Sequence, residues 1–159
     1  MSPAKTRDDN TKTVATNRKA RHNYVVFEEL EVGIALQGAE VKSLRNGQAN
    51  LTDAYARVEK GELWLHGMHV APYESAAKWE PIPPRRPRKL LAHRAQIRRL
   101  GQRVKERGYT LVPLRVYFRD GKGKIALGLC KGRKTYDKRD ALRERDEQRD
   151  LERSVRERE

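Results

Sequence analysis

A chain of 159 residues has room for one compact domain with appended segments, and only 36% of its residues are hydrophobic while as many are charged. The formal net charge of +14 and the pI near 10.2 favour a polyanionic partner. The sequence contains no run of about 18 apolar residues and no basic segment with a bulky apolar face, so we expect no membrane partner, and nucleic acid is the leading candidate.

The first part of the chain is predicted to contain an arm and two strands. Residues 1–16 carry almost no bulky apolar side chain and cannot offset the entropy of ordering, which predicts a disordered N-terminal arm. The β-branched and aromatic run Tyr24–Phe27 predicts a buried strand, and Ile34–Leu36 predicts a second one. Residues 28–31, between them, are expected to form a turn or a strand edge.

A short helix and three strands are predicted next. The segment Ala39–Arg45 has apolar residues three positions apart and precedes an Asn-Gly pair, which predicts one or two helical turns. Alternating apolar residues predict strands at Tyr55–Val58, Leu63–Leu65 and Met68–Val70. The pair Lys60-Gly61 is typical of a tight hairpin between the first two of these strands.

Proline and basic residues dominate residues 78–89, which are predicted to form an exposed basic loop. The cations of this loop are Arg85, Arg86, Arg88 and Lys89. The larger segment 78–130 carries fifteen basic and three acidic side chains, whereas residues 24–77 carry four basic and eight acidic ones. Because the positive charge is concentrated, the pattern predicts a binding face rather than a uniformly basic particle.

The remaining elements of the domain predict its architecture. Apolar residues at helical spacing between Leu91 and Arg107 predict a helix that stops at Gly108. Thr110–Phe118 and Ile125–Cys130 are predicted strands, joined by an Asp-Gly hairpin. Short strands with one interposed helix predict a mainly β fold, a small OB-type β-barrel with flanking helices that spans residues 17–130.

The C-terminal tail, residues 131–159, loses nearly all apolar residues and is predicted to be disordered or conditionally helical. If the tail becomes helical, Arg145, Arg149 and Arg153 form a basic stripe suited to phosphates, because they are spaced four residues apart. A solvated, self-neutralised helix face is the alternative interpretation of the same spacing.

Residues capable of catalysis or metal binding are sparse. The single cysteine, Cys130, cannot form an internal disulfide, and His66 and His69 are predicted on opposite faces of a strand. We therefore expect no catalytic site, no metal and no cofactor, although a ribonuclease that uses histidine and lysine is conceivable. The N-terminus lacks an apolar leader segment, so a cytoplasmic location is expected.

The ordered sequence motifs closely resemble those of the SsrA-binding protein family, also called small protein B. The resemblance runs from about Asn17 to Arg139, and its carriers are Asn17–Tyr24, Gly38–Gly47, Asn50–Asp53, Arg88–Leu91, Thr110–Leu114 and Lys131–Arg139. It implies an OB-type barrel that binds the tRNA-like domain of transfer-messenger RNA. It further implies an adaptor that delivers this RNA to stalled ribosomes for trans-translation, together with elongation factor Tu.

The resemblance also implies which residues bind RNA. Four positions match those that the family uses against transfer-messenger RNA: Asn17, Glu31, Leu91 and Lys124. Two basic clusters are predicted to contact phosphates. The first contains Arg18, Lys19, Arg21 and His22, and the second contains Arg88 and Lys89. Glu31 is unusual among them because a carboxylate repels phosphate, and it can help by accepting from bases or ribose or by orienting a neighbouring cation.

In the family the tail enters the empty messenger channel and replaces the missing codon–anticodon pairing at the decoding centre of the small ribosomal subunit. The junction residues expected there are Gly132, Arg133, Lys134, Tyr136, Asp137, Lys138 and Arg139, with the arginine stripe beyond them. We expect the chain to be a monomer. A structural protein that binds ribosomal RNA permanently is the alternative function.

Overall fold

The computed structural model describes residues 11–72 and 82–134. Its nine strands are β1 (Thr11–Thr16), β2 (Tyr24–Ile34), β3 (Ala49–Asn50), β4 (Tyr55–Glu59), β5 (Glu62–His66), β6 (His69–Val70), β7 (Arg88–Leu91), β8 (Thr110–Arg119) and β9 (Lys122–Gly132). The helices are α1 (Arg18–Asn23), α2 (Gly38–Arg45) and α3 (Arg94–Arg107). The predicted mainly β class with flanking helices is confirmed, whereas the predictions for residues 1–10, 78–81 and 135–159 lie outside the described residues.

Seven strands pair antiparallel in the order β1-β8-β4-β5-β7-β2-β9. Strand β8 also pairs with β9, so the last strand of this order is hydrogen-bonded to the second. The contact between β4 and β8 is short, with Ala56 opposite Leu111. Strands β3 and β6 form a separate two-stranded sheet.

Strand β8 separates two apolar clusters, which explains why its residues are buried on both faces. The main core contains Leu63, Leu65, Leu90, Leu111, Ile125, Leu127 and Leu129, contributed by four strands. The second cluster contains Val112, Leu114, Tyr117, Ala126 and Cys130 and is covered by Ala20 of α1. Burial of apolar area in the two clusters holds the strands together and packs α1 against β8.

The predicted hairpins are confirmed by the backbone. Lys60 and Gly61 have φ angles of 51° and 77°, and Asp120 and Gly121 have the same pair of values. Two successive residues with positive φ make the turn whose twist suits antiparallel strands. The predicted helix before Gly108 is also confirmed as α3, and Gly108 ends it in the left-handed region with φ 69°.

Three sequence predictions about the N-terminal half are wrong in whole or in part. Ile34–Leu36 is not a second strand, because Ile34 is the last residue of β2 and the two residues after it are not in a strand. Thr11–Thr16, placed in the disordered arm, forms β1, which pairs with β8 from Thr11 opposite Arg119 to Thr16 opposite Arg115. Backbone hydrogen bonds to an available strand edge order this largely polar segment, and Val14 and Ala15 pack against the main core. Residues 28–31, expected to form a turn or a strand edge, are not a turn, because β2 runs along β9 apart from a bulge between Val26 and Glu28; these residues lie within the strand.

The predicted exposed loop over residues 78–89 is also partly wrong, because its last two residues begin β7. Leu63, Trp64 and Leu65 of β5 lie opposite Leu90, Lys89 and Arg88 of β7, respectively. Arg88 therefore points inward. The sequence did not indicate this strand, because a run of arginines and prolines has no strand pattern. Helix α1 was not predicted either, because its six residues carry only one buried side chain, Ala20.

Candidate nucleic-acid interface

A row of aligned residues crosses four strands on one face of the sheet. Leu91 of β7 lies opposite Gly33 of β2, Gly33 lies opposite Lys124 of β9, and Lys124 lies opposite Tyr117 of β8. Residues opposite each other in antiparallel strands project from the same face. Leu91 and Lys124, predicted from the family resemblance to bind RNA, are therefore brought to one surface, which we call the β7–β8 face.

Leu91 is one of the large apolar residues that the structure leaves exposed, with 52% of its surface accessible. It lies over Gly33, where an added Cβ would approach the Leu91 Cβ to 3.2 Å. Glycine at this position therefore lets the leucine cross β2 without being displaced. An exposed leucine and a lysine on the same face offer apolar contact for an unstacked base and a charge for phosphate.

Glu31 lies on the same face, two residues before Gly33 in β2, and its carboxylate contacts two side chains of β8. The Tyr117 hydroxyl donates to Glu31 Oε1 at 2.5 Å, and Arg119 Nε lies 3.2 Å from the same oxygen. Burial, reinforced by the hydrogen bond to Glu31, raises the pKa of Tyr117 well above its ordinary range, so the phenol keeps its proton. Of the two roles predicted for Glu31, this geometry fits the orienting of neighbouring groups.

The basic residues of α1 form a separate exposed cluster at one edge of the domain. Its members are Arg18, Lys19, Arg21 and His22, all solvent-exposed. Gly132 pairs with Tyr24 at the end of β9, and the following Arg133 donates to the carbonyl oxygens of Arg21 and His22 at 3.3 and 3.2 Å. The start of the tail is thus joined to the basic helix, because a cation satisfies carbonyls at the helix C-terminus.

Asn17 is buried and its side-chain amide is bonded within the fold, which is at odds with the predicted contact with RNA. Its side chain is only 3% exposed. Nδ2 donates to the carbonyls of Leu51 and Pro113, each at 3.0 Å, while Oδ1 accepts from the Ala20 N–H at 3.2 Å. The amide therefore caps α1 and ties it to two other segments, with no donor left for a base.

Arg88 is corrected for the same reason, because its side chain is completely buried. It donates to Glu40 Oε2 at 2.6 Å and to the carbonyls of Met68, Arg86 and Pro84 at 2.8, 3.2 and 3.1 Å. Arg86 reaches the same carboxylate at 2.5 Å. Arg88 is thus a structural cation that joins α2 to the residues before β7, and it cannot contact a phosphate in this fold.

Lys89, the next residue, is exposed, and its Nζ lies 2.6 Å from Glu62 Oε2. Both side chains remain nearly half exposed, so this ion pair is solvated and leaves the lysine able to exchange partners. Lys134 is exposed as well. The predicted positions Tyr136, Asp137, Lys138, Arg139, Arg145, Arg149 and Arg153 lie outside the described residues.

Two side chains of types that are used in catalysis, His66 and Cys130, are each engaged within the fold. His66 Nε2 lies 3.0 Å from Glu59 Oε1, and its ring stacks on Tyr55 at 5.4 Å. Burial raises the pKa of the Cys130 thiol to about 11, which makes it a poor nucleophile. Within residues 11–72 and 82–134 the structure has no group of three or more histidine, cysteine or acidic residues that could hold a metal, and no helix there could span a membrane.

Three residues of the β7–β8 face were missed by sequence reasoning: Arg115, Tyr117 and Arg119. The Arg115 guanidinium carbon lies 4.8 Å from the Tyr117 ring centroid, and that of Arg119 lies 5.8 Å away. Their spacing of two residues along a predicted strand is a signal that they share a face. The partner across the sheet, Glu31, could not be identified from that spacing.

Comparison with known proteins gives the same family that the sequence motifs indicated. The family model described as SmpB protein matches residues 14–157. The SsrA-binding protein of Moorella thermoacetica is 55% identical over 148 residues, which cover 92% of this chain and 95% of that protein. The SsrA-binding protein of Desulforudis audaxviator is 52% identical over 145 residues, which cover 91% of this chain and 94% of that protein.

A solved structure described as "tmRNA-SmpB: a journey to the center of the bacterial ribosome" is similar in fold, with a TM-score of 0.63 and 49% sequence identity. The match covers 74% of this chain and 82% of that one. Together with the family model and the relatives, which extend over nearly the whole sequence, it confirms the resemblance that the sequence motifs predicted. The chain belongs to the SmpB, or SsrA-binding protein, family.

Proposed function

We propose that this chain is an RNA-binding adaptor that binds the tRNA-like domain of transfer-messenger RNA and delivers it to stalled ribosomes for trans-translation. The observation that carries the proposal is the alignment of Leu91, Lys124 and Glu31 on the β7–β8 face of a chain from the SsrA-binding protein family. An exposed leucine, a lysine and a braced carboxylate suit an RNA with unstacked bases and a folded backbone.

The order in which the strands pair supports an OB-type barrel as the scaffold of this face. Six strands, β8, β4, β5, β7, β2 and β9, follow one another as hydrogen-bonded neighbours and return to β8. A small closed barrel leaves no free edge among these strands and presents a rigid outer surface. Rigid strands favour RNA binding because the contact residues lose little conformational freedom when the ligand arrives.

Phosphate contacts are assigned to the exposed cations around this scaffold. We include Lys89 and the α1 cluster, Arg18, Lys19, Arg21 and His22, because all of them are exposed. The tail, from Gly132 through Arg139 and on to the arginine stripe, is assigned to the decoding centre and the empty messenger channel. The tether of Arg133 to α1 supports a continuous path from the RNA-binding domain into that tail.

The adaptor acts by binding rather than by chemistry, as a monomer in the cytoplasm, without a cofactor, and in one complex with elongation factor Tu. The scattered histidines and the protonated Cys130 support a role without catalysis. Incubation of the purified protein with transfer-messenger RNA tests this part. The RNA stays intact if the proposal is right, and specific cleavage would support a nuclease instead.

Affinity purification of the full-length chain from a bacterium, followed by sequencing of the bound RNA, tests the central proposal. Transfer-messenger RNA should be strongly enriched relative to its share of total RNA. A permanent ribosomal protein would instead remain with one ribosomal subunit through a high-salt wash and carry ribosomal RNA. Failure to enrich transfer-messenger RNA contradicts the proposed function.

A further inference from the structure

The outer face of β8 carries two guanidinium groups over a single buried tyrosine. Arg115 and Arg119 flank Tyr117 at positions two residues before and after it, at 4.8 and 5.8 Å from the ring centroid. Tyr117 is only 2% exposed, so its ring serves as the floor beneath the two side chains. A guanidinium that rests on an aromatic face keeps its N–H groups at the rim free for another acceptor.

Tyr117 can lie beneath the two arginines because a small residue occupies the neighbouring strand. Ala126 of β9 lies between Glu31 of β2 and Arg115 of β8 in the cross-strand register, and it packs in the same apolar cluster as Tyr117. The short side chain leaves room for the tyrosine to extend across β9. Its hydroxyl thereby reaches the Glu31 carboxylate, on the far side of that strand.

Among the residues that the structure describes, the two arginines have few polar partners. Arg119 Nε is buried and lies 3.2 Å from Glu31 Oε1 as an ion pair, without hydrogen-bond geometry to any described residue. Arg115 forms no hydrogen bond or ion pair with any residue that the structure describes, and its contact is with the Tyr117 ring. Arginine side chains held in place with free donors are preorganised for a phosphate, which accepts from both arms of a guanidinium.

We infer that Arg115 and Arg119 form a binding site for the phosphodiester backbone of RNA, and that Tyr117 and Glu31 are the residues that position them. The inference rests on the proposed function and adds contacts to its RNA-binding face. Lys124, directly opposite Tyr117, extends the same site. The charge of the assembled group remains positive, because three cations surround the one carboxylate.

This arrangement explains why a carboxylate lies within a surface that binds RNA. Glu31 alone would repel a phosphate, but here it accepts from Tyr117 and attracts Arg119. By holding the arginine, the carboxylate removes conformational freedom that would otherwise be lost on binding. Its favourable effect therefore depends on Arg119, whereas its repulsion of phosphate does not.

Salt-dependent binding of the full-length protein to an RNA transcript of the tRNA-like domain tests the site. We expect Arg115→Gln and Arg119→Gln each to weaken binding about tenfold and to reduce the slope of log K against log salt by about one. Tyr117→Phe, which keeps the ring and removes the hydroxyl, should weaken binding about threefold to tenfold. The matched control is Arg98→Gln on α3, an exposed arginine away from this face, which should leave the slope unchanged.

A double-mutant cycle separates the positioning role from a merely structural one. In the natural background Glu31→Gln should weaken RNA binding, because Arg119 loses the carboxylate that holds it in place. In the Arg119→Gln background the same change should strengthen binding, because only the repulsion remains to be removed. Weakening by the same factor in both backgrounds would overturn the inference, as would arginine variants that bind like the natural protein.

Thermal unfolding of each variant shows whether its fold is intact, and the conservative Arg119→Lys variant provides a second check. Lysine keeps the charge but has no planar fork, so it should restore the salt slope and only part of the affinity. If the natural protein fails to prefer the tRNA-like domain over an unrelated structured RNA, the proposed function itself is wrong. If it shows that preference and the arginine variants retain it at full affinity, only this inference is wrong.

Discussion

Glu40 shows how strongly one buried residue can determine local structure. Its carboxylate, 3% exposed, binds both Arg86 and Arg88 and accepts from the Gln37 N–H at 3.0 Å. We expect Glu40→Gln to lower the free energy of unfolding by about 3 to 5 kcal/mol, because Arg88 would stay buried without a counter-charge. Urea unfolding measures the loss, and Glu28→Gln, which breaks the solvated pair with Arg99, should cost far less.

The same carboxylate predicts how stability depends on pH. Burial alone would raise the pKa of Glu40, but hydrogen bonds from Arg86 and Gln37 and the charge of Arg88 outweigh it and hold the pKa below the ordinary value of 4.5. The interaction therefore stabilises the protein above that value and is lost as the pH falls through the lower, folded-state pKa. Unfolding midpoints recorded from neutral to acid pH should fall less steeply for Glu40→Gln than for the natural protein. Identical acid limbs would contradict this assignment.

Helix α1 depends on one side chain at its N-terminus. Asn17→Ala removes the cap and two buried hydrogen bonds, those from the side-chain amide to the carbonyls of Leu51 and Pro113, which should lower the free energy of unfolding by about 1 to 3 kcal/mol. A residue that contacted bases would instead change affinity and leave stability unaltered. Chemical unfolding of Asn17→Ala beside the exposed control Arg18→Ala distinguishes the two roles. Unchanged stability would restore Asn17 to the RNA interface.

Elements that are stabilised by their own sequence could be predicted, whereas those formed by their neighbours could not. The Lys60-Gly61 and Asp120-Gly121 hairpins and helix α3 follow from turn chemistry and apolar spacing. Strand β1 exists because β8 offers it a hydrogen-bonding edge, and no local pattern reveals that edge. Long-range pairing also decides which residues of a basic run face inward, as the buried Arg88 illustrates.

The functional face was predictable to the extent that the family resemblance supplied its positions. Charge counting located the basic half of the chain but could not tell the structural Arg88 from the exposed Lys89, which follows it directly. Likewise, the partnership of Glu31 with Tyr117 joins residues 86 positions apart. Burial and cross-strand register decide both cases, and neither is encoded within a short stretch of sequence.

At the scale of the whole molecule, the balance of basic and acidic side chains changes near the end of the chain. Residues 131–139 carry five basic and one acidic side chain, whereas residues 140–159 carry six basic and eight acidic ones. Net positive charge therefore ends near Arg139, and the segment beyond it contributes little to general attraction for RNA. The proposed contacts with the tRNA-like domain all lie before this boundary.

Deletion of residues 140–159 should therefore leave affinity for transfer-messenger RNA nearly unchanged and abolish tagging of stalled chains. The RNA-binding face remains intact in such a variant, while the segment proposed to occupy the messenger channel is gone. Binding is measured with the purified RNA, and tagging is measured in a translation reaction that uses a message without a stop codon. Lys124→Gln with an intact tail is the converse control, because it should lose affinity, and its tagging should recover at higher protein concentration. Equal loss of RNA binding and tagging in the truncated protein would contradict the assignment of RNA binding to the domain and of ribosome entry to the tail.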